Sequence, residues 1–294
     1  MILVMTKGKV IQFRRGRHTI HERHFLIDCG EGTQIQLRRF KVKFQRLQHI
    51  FISHLHGDHY LGLFGLLGSM GLTGRTQTLR IYGPPELEEL LNLQKKVSKV
   101  HLAYDIEFIP LVSESKELLY EDKVLKIYSF PVKHRLPTWG FSFEEKEKRH
   151  NLKADKIKEY SISIPEIQDL LSGEKLERDG RVIPTKELFD PPPPPVKYAY
   201  CADTVYNEEI IPFIEGADLL YHEATFAEKD SGRAISTMHS TAKQAATIAL
   251  KSNSKKLLLG HFSARYRDTG VLESEAKEIF QNVVCVEDGD EFLL

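Results

Sequence analysis

The stretch 50–62, IFISHLHGDHYLG, joins the end of an apolar strand to a run of metal-binding side chains. The letters IFIS predict a buried strand, and Gly57 permits a tight turn before a helix that we expect from Tyr60 to Leu72. Imidazole nitrogen and carboxylate oxygen are ligands that zinc accepts at roughly 2.0–2.2 Å. Four such ligands lie in the turn: His54, His56, Asp58 and His59. The stretch therefore predicts a transition-metal site, and its spacing favours two adjacent ions over one.

On both sides of this stretch, short apolar segments alternate with helical ones, which is typical of an α/β fold. Between Phe25 and Phe143 the predicted strands lie in HFLIDCG, HIFISH, LRIYG, DIEFIPL and VLKIYSF, and after Val196 they lie in KYAYCAD, DLLYHEA and KKLLLGH. The segment between these two groups is highly charged and ends in the proline run 191–195, a stiff extended strut. We therefore predict one α/β domain over 1–294, interrupted by a protruding arm at about 144–196.

Three further metal ligands are expected directly after predicted strands, where the sites of α/β proteins usually lie. They are His134, Asp203 and His261. We assign His54, His56 and His134 to one ion, and Asp58, His59 and His261 to the other. Asp203 is expected to bridge the ions, because a carboxylate has two oxygens. Two ions roughly 3.5–4 Å apart suit phosphodiester cleavage, since they stabilise both the attacking and the leaving oxygen.

The composition is that of an ordinary globular protein, and its formal net charge of zero gives no general argument for a polyanionic partner. The three cysteines are scattered, which indicates reduced thiols and neither a disulfide framework nor a cysteine-based zinc site. The sequence contains no apolar run long enough to span a bilayer, and its apolar start is too short for a signal peptide. We therefore expect a soluble, cytoplasmic protein without a membrane partner.

Several motifs resemble a known family. HLHGDH is similar to the signature of the metallo-β-lactamase superfamily, and Asp28 in LIDCGEGTQ is similar to its early strand-end aspartate. The stretches VKHR, CADT, YHEATF, HSTA and GHFSARY, in this order, resemble RNase Z. The resemblance implies a metallo-β-lactamase αββα sandwich, a homodimer, and two zinc ions per protomer with manganese or cobalt as substitutes. It also implies cleavage of precursor tRNA just after the discriminator nucleotide, which leaves a 3′-hydroxyl.

Catalytic roles follow for two side chains near the expected metals. Asp58 is expected to orient the attacking water and accept its proton. The resemblance places His239 opposite the scissile phosphate, where its imidazole could protonate the leaving 3′-oxygen, with Glu223 orienting it. An alternative interpretation makes His239 a structural residue before a helix that is capped by Ser240 or Thr241.

Two residues just past His261 are candidates for contact with the substrate phosphate, Ser263 and Arg265. Two segments depart from the RNase Z pattern. Met1–Glu22 lacks the Gly-Thr/Pro-rich opening that ends in Arg-Asn, and Ser163-Ile164-Pro165 stands where the family's arm has Gly-Pro.

Two alternative functions are compatible with the metal ligands. One is another hydrolase of the same fold, such as a general phosphodiesterase, a thioesterase or a lactonase, since these share the ligand set. The other is an RNA-binding scaffold without activity, which would be expected to lose ligands. All seven ligands are present here, and the HEATF, HSTA and HFSARY stretches favour the tRNA nuclease.

Overall fold

The computed structural model describes residues 2–6, 9–14, 24–99, 101–147 and 150–293, with the backbone alone for 2–6, 9–14 and 293. Half of Met1–Glu22, where the sequence departs from the RNase Z pattern, therefore lies outside the described residues. The chain divides into two compact units, of which the smaller comprises Tyr120–Lys126 and Glu144–Val196. None of the described helices combines the length and the apolar character needed to cross a membrane.

The first sheet of the larger unit is built mainly from parallel strands. Its strands are β1 Ile2–Thr6, β2 Lys9–Arg14, β3 His24–Ile27, β4 Leu47–Phe51, β5 Leu79–Gly83, β6 Ile106–Pro110 and β18 Glu291–Leu293. The order across the sheet is β18-β2-β1-β3-β4-β5-β6. The pairs from β1–β3 to β5–β6 are parallel, whereas β1 and β2 are antiparallel. Parallel pairing brings the carboxyl ends of β3 and β4 to one edge.

The second sheet also contains a run of parallel strands, formed by strands that come later in the chain. Its members are β7 Glu117–Glu121, β8 Leu125–Val132, β9 Thr138–Glu145, β14 Lys197–Cys201, β15 Leu219–Glu223, β16 Leu257–Gly260 and β17 Val283–Cys285. Their order is β17-β16-β15-β14-β9-β8-β7, and β14 to β17 are parallel neighbours. The carboxyl ends of β14, β15 and β16 therefore also share one edge.

Helices and short strands complete the chain. The helices are α1 Thr33–Arg39, α2 Gly57–Tyr60, α3 Leu63–Leu72, α4 Glu86–Ser98, α5 Ala154–Glu159, α6 Ile164–Ser172, α7 Thr185–Leu188, α8 Ile211–Ile214, α9 Ser231–Thr237, α10 Ala242–Lys251 and α11 Gly270–Lys277. Single 3₁₀ turns lie at Phe44–Arg46, Glu208–Ile210 and Glu228–Asp230. The smaller unit holds two ribbons, β10 Asn151–Leu152 with β13 Phe189–Asp190, and β11 Leu176–Arg178 with β12 Arg181–Ile183.

The two large sheets face each other through aromatic side chains. The Phe51 ring of β4 lies 5.3 Å from Phe141 and 5.7 Å from Phe143 of β9, measured between centroids. On the outer face of the first sheet, α1, α3 and α4 bury an aliphatic core that includes Leu37, Met70 and Leu91. Helices α10 and α11 cover the second sheet, and an alanine-rich core lies between these helices and the strands. The predicted αββα sandwich is therefore confirmed.

The helix predicted from Tyr60 to Leu72 is interrupted. Helix α2 ends at Tyr60 and α3 begins at Leu63. The break lies at Gly62, whose N–H donates to the carbonyl of Cys29 at 2.9 Å. A Cβ atom at this position would lie 1.9 Å from the carbonyl oxygen of Gly30. The chain is thus packed directly against the loop that follows β3, which a continuous helix would not allow.

Candidate metal centre

The carboxyl-end edges of the two sheets hold every predicted metal ligand. Asp28 follows β3, the HLHGDH turn follows β4, Asp203 follows β14 and His261 follows β16. His134 lies in the loop between β8 and β9. The predicted ligands are 207 residues apart at the extremes (54 to 261), yet their side chains meet in two adjacent groups of donor atoms, with Asp28 behind them.

The first group consists of His54, His56, His134 and Asp203, whose donor atoms lie within 4.8 Å of one another. The Nδ1 atom of His56 lies 3.0 Å from Nε2 of His54 and 3.2 Å from Nε2 of His134. Asp203 Oδ2 lies 3.6 Å from Nε2 of His54. Three imidazole nitrogens and one carboxylate oxygen therefore surround a single point.

The second group consists of Asp58, His59 and His261. The Nε2 atoms of the two histidines are 3.2 Å apart, and Asp58 Oδ2 lies 3.4 Å from Nε2 of His261. Asp203 borders this group too, because its Oδ1 lies 3.2 Å from Nε2 of His261 and its Oδ2 lies 3.5 Å from Nε2 of His59. Asp203 is thus the carboxylate that both groups share.

The spacing of these atoms fits divalent metal ions. Tetrahedral ligands at about 2.1 Å from an ion lie about 3.4 Å from one another, which is close to the separations in both groups. Asp203 Oδ1 is buried and accepts no hydrogen bond from the described residues. A buried carboxylate oxygen without a donor is costly unless a cation contacts it. The donor set therefore suits metal coordination better than hydrogen bonding.

The electrostatic state of the histidines agrees with this fit. Burial lowers the pKa of His54 to about 2, and burial also lowers the pKa values of His56 and His134. Burial would lower the pKa of His59 as well, but the charges of Asp203 and Asp28 outweigh it and raise that pKa well above its usual value. Neutral imidazoles offer their lone pairs to a metal, and the carboxylates that hold a proton on His59 would equally favour a cation.

Asp28 is fully buried behind the second group and holds it in place. It has a left-handed backbone with φ of 58°. Its carboxylate accepts from the backbone N–H and the hydroxyl of Ser53 at 2.8 and 3.0 Å, from Nδ1 of His59 at 2.7 Å, and from the Tyr200 hydroxyl at 2.7 Å. Because Nδ1 of His59 carries the proton in this bond, Nε2 is the nitrogen left for a metal.

His134 is oriented in the same way by a backbone group. Its Nδ1 lies 2.8 Å from the carbonyl oxygen of Met238, a residue with φ of 60°. The neighbouring Arg135 donates to the carbonyl of Ser236 at 2.8 Å. The loop that carries His239 is thus attached to a predicted ligand of the first group.

His239 lies beside both groups, with ring centroids 5.0 Å from His134 and 5.5 Å from His261. Its Nδ1 is 2.8 Å from Oε1 of Glu223, which is fully buried at the end of β15. Thr241 caps α10 through a capping box with Gln244, so the predicted cap at Ser240 or Thr241 is found at Thr241. The cap does not involve the His239 imidazole, and the His239 side chain is 15% exposed.

Ser263 and Arg265 lie in the loop after β16, where they make contacts of their own. The Ser263 N–H donates to the carbonyl of Thr225 at 3.1 Å. The Arg265 guanidinium pairs with Asp230 at 3.2 Å and lies 5.1 Å from the centroid of the Phe226 ring. Contact of these two residues with phosphate stays a prediction.

Sandwich and donor groups together define a metal-dependent hydrolase of the metallo-β-lactamase fold. A family model described as "Anti-Pycsar protein Apyc1" matches residues 18–146. The structure is similar to a metallo-β-lactamase fold protein from Bacillus subtilis (TM-score 0.61, 21% identity, 90% of this chain and 85% of that chain). It is also similar to human tRNase Z, short form (TM-score 0.65, 28% identity, 90% of this chain and 85% of that chain).

Comparison of amino-acid sequences identifies a narrower class of protein than the fold does. Ribonuclease Z of Parabacteroides distasonis is 45% identical over 271 residues, which are 92% of this chain and 89% of that protein. The chain therefore belongs to the ribonuclease Z family, and it is a hydrolase that binds divalent metal.

Four groups that surround the site were not identified from the sequence. They are the side chains of Ser53, Tyr200 and Thr225 and the carbonyl of Met238. Thr225 belongs to the HEAT stretch that the sequence analysis singled out, but the contacts of its hydroxyl could not be predicted from that stretch. Tyr200 reaches Asp28 from 172 residues away, and no local pattern indicates such a pairing.

We predict that Asp28→Asn weakens zinc binding by about 10- to 100-fold, the usual effect of removing a group that orders a metal ligand. An amide cannot accept hydrogen bonds on both of its heteroatoms, so at least one partner of Asp28 loses its acceptor. Zinc affinity is measured by competition with a chelator. Asp218→Asn is the matched control, because Asp218 binds Lys197 and Lys255 and belongs to neither donor group. Equal affinities in the two variants would contradict the role given to Asp28.

Proposed function

We propose that this chain is a zinc-dependent endoribonuclease that removes the 3′ trailer from precursor tRNA and leaves a 3′-hydroxyl on the tRNA. The observation that carries the proposal is the pair of donor groups joined by Asp203, with His239 beside both. The names of the relatives supply the substrate class. We further propose two zinc ions per protomer, a cytoplasmic location and a homodimer.

The proposed ligand assignment follows the two donor groups. His54, His56 and His134 would hold one zinc ion, Asp58, His59 and His261 would hold the other, and Asp203 would serve both. Two ions held there would supply Lewis-acid stabilisation of the phosphoryl oxygens and lower the pKa of water to near neutrality.

Asp58 is the carboxylate suited to act on the attacking water. Its side chain is 38% exposed, whereas that of Asp203 is 3% exposed. Burial raises the pKa of Asp58, but the hydrogen bond with His261 and the charge of His59 outweigh it, so the pKa lies below its usual range. The ionised carboxylate orients the water and accepts its proton while the new bond to phosphorus forms.

His239 is suited to the leaving group. Because Glu223 occupies Nδ1, the Nε2 nitrogen is the one that can face the substrate. As the bond between phosphorus and the 3′-oxygen breaks, a proton passes from His239 to that oxygen, which becomes the 3′-hydroxyl.

The first test combines metal content with a map of the cut. Protein purified without chelator should contain two zinc equivalents per chain by elemental analysis, and should cut a 3′-extended precursor tRNA once, after the discriminator nucleotide. Bis-p-nitrophenyl phosphate, a thioester and a lactone serve as comparison substrates. A thioester or lactone rate above the precursor tRNA rate would favour the alternative hydrolase of this fold. A firm value of one zinc or none would contradict the dinuclear assignment, and the mass of a monomer by light scattering would contradict the homodimer.

A second test separates the two catalytic roles. Asp58→Ala should abolish cleavage while precursor tRNA still binds, because the tRNA body docks away from this carboxylate. His239→Ala should lower single-turnover cleavage by about 10²–10⁴-fold and keep the full zinc content, because it loses only proton transfer. His101→Ala changes an exposed histidine and is the control. Loss of zinc from His239→Ala would show that His239 is a ligand.

The smaller unit is proposed to be an inserted arm that docks the tRNA body. It has its own small core, which includes Ile162, Leu170 and Leu188. The segment 144–196 carries 10 basic and 12 acidic side chains, so its total charge does not make it a general clamp for a polyanion. Part of this charge is internally paired, as in the 2.8 Å contact of Arg178 with Glu166. Among the described residues, Lys158, Lys175 and Lys186 are exposed and form no ion pair, so they can contact phosphates.

We predict that changing these three lysines to glutamine weakens precursor tRNA binding, because fewer counterions are released from the RNA for each phosphate contact that is lost. The slope of log K against log salt should become shallower by about 0.7–0.9 per contact. Cleavage of bis-p-nitrophenyl phosphate should not change. The matched control changes the exposed lysines Lys95, Lys96 and Lys99 in and after α4. If both triple variants bind precursor tRNA equally, the arm is not the docking element.

A further inference from the structure

The hydroxyl of Thr225 lies among three ionisable side chains of the site. Thr225 is 5% exposed and lies two residues after the last residue of β15. Its Oγ1 is 2.8 Å from Oε2 of Glu223, 3.1 Å from Nδ1 of His261 and 3.3 Å from Nδ1 of His239. One hydroxyl therefore contacts a proposed metal ligand and also the carboxylate that holds the proposed acid.

The direction of these hydrogen bonds follows from proton counting. A hydroxyl has one proton to donate, and its charged acceptor is the Glu223 carboxylate at 2.8 Å. The uncharged acceptors are the carbonyl of His261 at 3.0 Å and the Nδ1 nitrogens of His261 and His239 in the tautomers that leave Nδ1 unprotonated. Donation to an ionised carboxylate is the stronger bond, since charge assistance roughly doubles its strength. The lone pairs of Oγ1 then remain for the Nδ1 proton of His261. That proton leaves Nε2 of His261 as the nitrogen facing Asp58 and His59.

Glu223 extends this arrangement to the acid. Its Oε1 accepts from Nδ1 of His239 at 2.8 Å and from the backbone N–H of Ser240 at 3.0 Å. The bonds therefore run in one direction from both histidines toward a single buried carboxylate. A rotation of His261 would withdraw its proton from Thr225 and so disturb Glu223.

We infer that Thr225 is a positioning residue that couples the orientation of His261 in the second donor group to the orientation of the Glu223–His239 pair. The part of this inference that concerns His239 as an acid rests on the proposed function. The part that concerns metal binding by the second donor group rests on the geometry of His261 alone. Without the hydroxyl, the zinc affinity of the second group should fall, and the His239 imidazole should be held less firmly in its position.

The experiment compares Thr225→Val, which has nearly the same shape without a hydroxyl, with Thr225→Ser, which keeps the hydroxyl. In Thr225→Val we expect kcat on precursor tRNA to fall about 10- to 100-fold with KM within about twofold, and zinc affinity by chelator competition to fall over a similar range. Thr225→Ser should restore both. Thr247→Val is the matched control, because the Thr247 hydroxyl donates to the carbonyl of Lys243 within α10.

Several outcomes would overturn the inference. Wild-type values for Thr225→Val would do so, as would equal losses in the valine and serine variants, which would point to packing of the methyl group. Loss of activity with unchanged zinc affinity would also do so, because it removes the link to His261. If Thr225→Val does not fold, Thr225→Ala is compared with Thr225→Ser in the same two measurements. Failure of the wild-type protein to cut precursor tRNA would instead contradict the proposed function, and the zinc measurement would still decide the metal half.

Discussion

The carboxylate of Asp28 is the group on which the site most depends. It accepts four hydrogen bonds, from two groups of Ser53, from His59 and from Tyr200. Ser53 and His59 belong to the segment after β4 in the first sheet, and Tyr200 lies in β14 of the second. One buried carboxyl group thereby joins the two layers of the sandwich at the edge where the two donor groups meet. Without it, the buried Tyr200 hydroxyl and Nδ1 of His59 would lose their carboxylate acceptor, which is costly in a protein core, whereas the Ser53 hydroxyl would keep its contact with Nδ1 of His54 at 3.0 Å.

The sequence was sufficient for the parts of the structure that local chemistry determines. The strand that leads into the HLHGDH turn is found as β4, and the helix cap expected at Ser240 or Thr241 is found at Thr241; both follow from patterns within about ten residues. The fold followed from motifs along the chain that resemble a known family, and metal binding by the side chains at the strand ends stays a prediction. The break at Gly62 could not be predicted, because its cause is the carbonyl of Gly30 in a different segment. Strand β9 was not among the predicted strands, although Trp139, Phe141 and Phe143 alternate with smaller residues as in a strand, and both of its faces are buried from Thr138 to Phe143.

The contacts behind the ligands were hidden for the same reason. Thr225 is near Glu223 in the chain, but its other partner, His261, is 36 residues away. A Thr hydroxyl has no sequence signature that distinguishes a contact with a ligand from an ordinary buried hydrogen bond. Such contacts depend on which strand ends become neighbours, and this is a property of the sheet order β16-β15-β14.

His239 shows how the two halves of the site are connected. On one side, its loop is attached to the first donor group, because the carbonyl of Met238 accepts from His134. On the other side, Glu223 and Thr225 connect it to His261 of the second group. The His239 imidazole is therefore positioned by the same framework that positions the two donor groups.

Charge accounting supports two divalent ions and explains how a neutral chain can act on RNA. Among the described residues, the carboxylates of Asp28, Asp58, Asp203 and Glu223 lie in or directly behind the site. Burial lowers the pKa values of the first-group histidines, whereas Asp203 and Asp28 raise that of His59. Such a cleft would repel a phosphodiester, since like charges at short range are poorly screened. In the proposed dinuclear state, two divalent cations would offset the negative charge of these carboxylates. Attraction of the scissile phosphate would then come from the metals at the point of cleavage.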